Sequence, residues 1–155
     1  MELGSVAPDF TLPTNTGDPF VLSDNLGRIV VIYFYPKAGS SSCAKQAVAF
    51  QDLQSAFDTA GALVIGISKD SIKKLQNFVS KQDLNFPLAS DENTDVCERY
   101  GVWKEKKMYG KTYMGIERST FIVDTQGNLA GIWRGVKVPG HAEEVLEAVR
   151  QVRSS

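Results

Sequence analysis

The sequence predicts one α/β domain, a central sheet with helices on both faces. Two short apolar runs, 29–35 and 62–68, carry that prediction. Each is strand-sized, rich in β-branched residues, and free of the polar alternation that a half-exposed strand shows, as expected of strands covered on both sides. Between them lies a stretch of helix formers long enough to cross over the sheet. With 155 residues, no internal repeat and no low-complexity linker, the chain is expected to form a single domain over 1–155 with its own core.

The elements follow in order. Residues 7–13 and 20–22 read as a short hairpin around the turn-rich Asn15-Thr16-Gly17-Asp18. Residues 29–35 form the central strand. From Cys43 to Ala60, the residues Ala47, Phe50, Leu53, Gln54 and Phe57 recur at helical spacing, and Gly61 supplies a stop. Residues 62–68 form the second buried strand. Asp70 or Ser71 caps the next helix, which runs to about Lys81 with Ile72, Leu75 and Phe78 inward. Residues 86–89 are a short extended piece and 91–101 a further helix. A second hairpin joins 120–124 to 129–134, and 141–152 form an amphipathic C-terminal helix. Given a right-handed crossover between the two parallel strands, this is a thioredoxin-like three-layer sandwich with an N-terminal β-hairpin extension. Ligands of open α/β sheets sit beyond the carboxyl ends of the strands, and Cys43 falls there.

Composition removes several functions. A net charge of -1 offers no electrostatic reason for a nucleic-acid or membrane partner. No apolar run approaches the length of a membrane span. The start, MELGSVAPDF, has no basic or apolar signal segment, so a cytoplasmic protein is expected. Two cysteines and one histidine make neither a disulfide framework nor a zinc set, so no Cys/His zinc site is expected.

What remains is Cys43, delivered to a helix start by Pro36, Gly39 and the run Ser40-Ser41-Ser42. Unpaired N–H groups and the positive dipole end favour an anion there. Helix termini and nearby cations lower thiol pKa values from about 8.5 into the range of about 3.5–7.5. Ser40, three residues earlier, is placed to donate its hydroxyl to the sulfur or to an attacked oxygen, and the small residues at 38–42 are expected to leave the sulfur reachable. A thiolate with a donor and no histidine base suits attack on an O–O or S–S bond better than peptide hydrolysis.

Pro36-x-x-x-Ser40-x-x-Cys43 resembles the peroxiredoxin signature P-x-x-x-(T/S)-x-x-C. Residues 4–12, 64–68, 90–92 with 100–102, and 115–124 are also similar to that family. The resemblance spans about residues 3–150 and points to its bacterioferritin comigratory protein, or Q-type, branch. It implies a cofactor-free, often monomeric enzyme that reduces hydrogen peroxide and organic hydroperoxides through a cysteine sulfenic acid. Cys43 then resembles the peroxidatic cysteine, Pro36 its shield, Ser40 the hydroxyl donor and Arg118 the guanidinium beside the sulfur. With the Cys43 backbone N–H, Ser40 and Arg118 would stabilise the charge growing on the peroxide oxygen. Gln46, one helical turn on, would orient Arg118.

The chain departs from the family at the resolving cysteine. Relatives carry it five residues after the peroxidatic one, here Val48, or on the next helix, near Val79. Cys97 is left as a candidate resolver, though a small core residue is the commoner role for such a cysteine. The sulfenic acid would otherwise be reduced by an external thiol, from thioredoxin, glutaredoxin or glutathione. Relatives also have Thr-Pro-Gly where this chain has Ser40-Ser41-Ser42. Two rival functions stay open at this point: a thioredoxin-like disulfide oxidoreductase, and a redox sensor. His141, after Pro139-Gly140, reads as a surface turn residue, and Lys104, Lys106, Lys107 and Lys111 as a solvated loop, with reception of an anionic reductant the alternative. Trp103 and Trp133 read as core or pocket wall.

Overall fold

The computed structural model describes residues 1–154. Nine strands and five α-helices run in the order β1 (Thr11–Leu12), β2 (Phe20–Val21), β3 (Ile29–Phe34), α1 (Ser41–Asp52), α2 (Gln54–Thr59), β4 (Ala62–Ser68), α3 (Ile72–Gln82), β5 (Leu88–Ser90), α4 (Val96–Arg99), β6 (Trp103–Met108), β7 (Lys111–Ile116), β8 (Ser119–Val123), β9 (Leu129–Arg134) and α5 (His141–Ser154) among the described residues. A five-stranded sheet has the order β5-β4-β3-β8-β9. β3 and β4 run parallel, as do β4 and β5, while β8 and β9 are antiparallel. This is the thioredoxin-like arrangement expected, with the β1–β2 hairpin in front of it.

Because side chains alternate across a pleated strand, β3 feeds two cores. Val31, Tyr33 and Tyr35 join Cys43, Ala47, Phe50, Leu75, Phe78, Val145 and Val149 from α1, α3 and α5. Val30, Ile32 and Phe34 join Phe10, Cys97, Tyr100 and Phe121 on the opposite face. All the longer helices therefore cover one face. The other is closed by the N-terminal hairpin and the single-turn α4.

Three elements differ from the expectation. The helix predicted over 43–60 is two helices, because Leu53 leaves helical geometry (φ -103°, ψ 7°) and its N–H turns back to Gln51 and Phe50 carbonyls. The helix predicted over 91–101 shrinks to α4. The Asp91 carboxylate accepts the Val96 and Cys97 N–H groups and the Thr94 hydroxyl, so 91–95 wrap around it as a loop. The lysine-rich segment is no loop but the β6–β7 hairpin. Its turn, Tyr109-Gly110, takes φ values of 52° and 75° at both central residues, the left-handed pair a two-residue hairpin loop requires.

Candidate active site

The site is assembled at the carboxyl end of β3. After Phe34 the chain leaves the sheet through Tyr35 and Pro36, and a left-handed Gly39 (φ 93°) turns it toward α1. The Asp70 carboxylate fixes this loop: its Oδ2 accepts the Ala38 N–H at 2.7 Å and the Ser68 hydroxyl at 2.8 Å. Ser40 is the N-cap of α1 in extended geometry, and its Oγ accepts the Cys43 N–H at 3.3 Å. That is a helix cap of the kind worth about 1 kcal/mol. It occupies the Cys43 N–H that was expected to serve the peroxide, and leaves the Ser40 O–H proton free to donate.

Arg118 arrives from the other side of the sheet axis. In the antiparallel register Ser119 lies opposite Phe34, so the residue before β8 sits beside the end of β3. Its backbone is held by Glu117 N–H to the Val102 carbonyl at 2.7 Å and by Val136 N–H to the Arg118 carbonyl at 2.9 Å. The guanidinium then reaches three residues of the first two turns of α1. Nη1 donates to Gln46 Oε1 at 2.5 Å; Nη2 donates to Ser42 Oγ at 3.0 Å and to Cys43 Sγ at 3.4 Å. Cys43, Ser40, Arg118 and Gln46 are thus brought together as the sequence led us to expect. Pro36 borders the loop half-buried.

The expectation of an open sulfur does not hold. Cys43 is 1% exposed, packed in the helix-side core with the Arg118 guanidinium upon it. The small residues at 38–42 do not leave it open to solvent. Two tyrosine hydroxyls are buried in the same core. Burial, reinforced by Tyr35 and Cys43, pushes the Tyr33 hydroxyl well above the usual phenol range, and burial does the same at Tyr35.

His141 is the clearest correction. It was read as a surface residue, yet it is buried, its Nε2 2.8 Å from Thr120 Oγ1, with its ring edge-on to Trp133 and Phe50. Burial, with a smaller push from Arg118, lowers its pKa against an opposing effect of Glu144. Nothing local in Pro139-Gly140-His141 signals this; the cover comes from β8, β9 and α1. Lys106 is likewise no solvated lysine. Its stem lies across Gly115 and its ammonium donates to the Ile116 carbonyl at 2.5 Å. Burial and the Arg118 charge lower its pKa, while Cys43 acts the other way.

Cys97 belongs to the opposite core, its thiol pushed up by burial and then by Asp91. Among the described residues no cluster of three or more His, Cys, Asp or Glu could hold a metal ion, and no helix is long and apolar enough to cross a membrane.

Comparison with known proteins shows the family and the fold. The AhpC/TSA family model matches residues 3–132. A Coxiella burnetii relative is 47% identical over 146 residues, covering 94% of this chain and 97% of that protein. Peroxiredoxin Bcp of Xanthomonas campestris is 43% identical over 150 residues, covering 97% and 94%. Among solved structures, a bacterioferritin comigratory protein of Xanthomonas campestris, studied for its alkyl peroxide reduction activity, superposes with a TM-score of 0.90 at 41% identity, covering 99% of this chain and 98% of that one. PrxQ of Xylella fastidiosa superposes with a TM-score of 0.92 at 37% identity, covering 97% and 96%.

Proposed function

The chain belongs to the AhpC/TSA family, and from that premise we propose that it is a thiol-dependent peroxidase whose peroxidatic residue is Cys43. The observation that carries the assignment is the Arg118 Nη2 contact to Cys43 Sγ at 3.4 Å, at a helix start capped by Ser40. The Cys43 thiolate attacks the terminal peroxide oxygen. An S–O bond forms, the O–O bond breaks, and the electron pair leaves on the alkoxide or hydroxide, which takes a proton. Arg118 and the Ser40 hydroxyl are donors aimed at the oxygens where charge grows, and such donors act most strongly when pre-placed. Gln46 holds the guanidinium in plane, and Pro36 borders the loop against water.

The product is a Cys43 sulfenic acid. A first reducing thiol displaces water from it to give a mixed disulfide, and a second releases Cys43 as thiol. We assign both thiols to an external reductant, a small thiol or a thioredoxin-type protein. Cys43 and Cys97 lie in different cores on opposite faces of the sheet, and Val48 and Val79 offer no sulfur. The disulfide-oxidoreductase alternative lacks support, since Ser40 occupies the place of the first thiol and acts as a cap. In a peroxide-consumption assay with a supplied thiol, Cys43→Ser is expected to lose turnover entirely. Wild-type turnover in that variant would overturn the assignment.

A further inference from the structure

Arg118 Nη2 has two N–H protons and two partners, Ser42 Oγ at 3.0 Å and Cys43 Sγ at 3.4 Å. One Nη1 proton goes to Gln46 Oε1 at 2.5 Å. The guanidinium is therefore pinned at three corners: the buried amide of Gln46, the sulfur, and an exposed serine hydroxyl in the first turn of α1. We infer that Ser42 is a positioning residue for the peroxidase reaction, the solvent-side anchor that keeps Arg118 on the sulfur while the peroxide displaces that guanidinium's bond to Sγ.

The chemistry requires such an anchor. When a peroxide oxygen enters, the Nη2 proton now on sulfur must turn to the oxygen. With Gln46 alone the long arginine side chain pivots about one bond and is free to swing into solvent. With Ser42 also engaged, the guanidinium plane is fixed by two acceptors on different sides, and one N–H is left facing the reacting atoms. Of the three serines at the start of α1, Ser40, Ser41 and Ser42, the first and the last do different tasks. Ser40 Oγ accepts the Cys43 N–H and serves the helix; Ser42 Oγ accepts from Arg118 and serves the cation.

This rests on the peroxidase reading, so the test has one arm without peroxide. Ser42→Ala, Ser42→Thr and Arg118→Ala, with the Ser42→Ala/Arg118→Ala double variant, are compared by stopped-flow reaction with hydrogen peroxide and by the pH profile of Cys43 alkylation with iodoacetamide. Ser42→Ala is expected to lower the second-order rate constant with peroxide by about tenfold, the size of one hydrogen bond to a charged group. It is also expected to move the alkylation profile toward higher pH, whatever its plateau. Ser42→Thr restores both, and in the Arg118→Ala background Ser42→Ala has no further effect. An unmoved profile and rate in Ser42→Ala, or an undiminished effect without Arg118, would overturn the role. Failure of the wild type to react with peroxide would strike the peroxidase reading and with it the reaction Ser42 serves, while the alkylation profiles would still report whether Ser42 holds Arg118 on the sulfur.

Discussion

Arg118 shows how one side chain can hold a site together. It emerges half-buried before β8 and bonds Gln46, Ser42 and the sulfur. In the proposed reaction its removal would delete a donor from the developing charge, a loss of about 2.7–4 kcal/mol in comparable sites. Arg118→Ala is therefore expected to slow the peroxide reaction by about 100- to 1000-fold in stopped-flow measurements. His141 gives a residue-scale prediction of another kind. Its folded pKa lies below the ordinary 6.5, so it is buried neutral. The unfolded chain then binds the proton more readily, and stability is fully present above about 6.5 and falls as pH drops from there toward the folded value. Glu144 and Arg118 are the charges that bear on this ring. His141→Gln is expected to flatten that part of the stability profile in urea melts across pH; a slope equal to wild type would assign the effect elsewhere. The Pro36-x-x-x-Ser40-x-x-Cys43 motif drew attention to Cys43 and Ser40, and the family resemblance over 115–124 to Arg118. The burial of His141 was not legible in the sequence, since it depends on Trp133 and Phe50 arriving from distant elements.

At the scale of elements, the strands β3 and β4 were readable because their burial is dictated by unbroken apolar runs. The β6–β7 hairpin was not. Its residues are largely exposed on both faces and therefore carry no two-residue hydrophobic period; the Tyr109-Gly110 turn was its one local signal. The short α4 was over-read for the complementary reason: helix formers were present, but the Asp91 carboxylate offered 91–95 a better set of hydrogen bonds. Gly66 in β4 tests how tightly the strands close under the site. A Cβ there would lie 2.7 Å from Tyr33 Cζ and 2.8 Å from Leu88 Cδ2. Gly66→Ala is expected to destabilise the fold by about 1–3 kcal/mol, measured by thermal or urea denaturation. A neutral outcome would mean that Tyr33 has room to move.

For the whole molecule, the sheet acts as a partition. Cys43 lies in the helix-side core and Cys97 in the other. After one equivalent of peroxide without reductant, mass spectrometry is expected to find one added oxygen, trappable by dimedone at Cys43, and no 43–97 disulfide. Cys97→Ser is expected to retain turnover with an external thiol. A disulfide in the wild type would require the partition to open and would return Cys97 to the reaction.

The enclosure of Cys43, 1% exposed beneath a guanidinium, sets unequal terms for the two halves of the cycle. A peroxide is a few atoms across; a reducing thiol on a peptide or protein is larger and would have to reach the same buried sulfur. If the proposed sulfenic acid forms under that cover, turnover is expected to level off as the external thiol is raised, and a rate that keeps climbing in proportion to thiol would show the sulfur already within reach. A sulfenic acid that waits under cover would be open to a second oxidant molecule and oxidation to sulfinic acid. On that reading the cover over one sulfur sets the oxidant dose at which a catalyst becomes a spent scavenger.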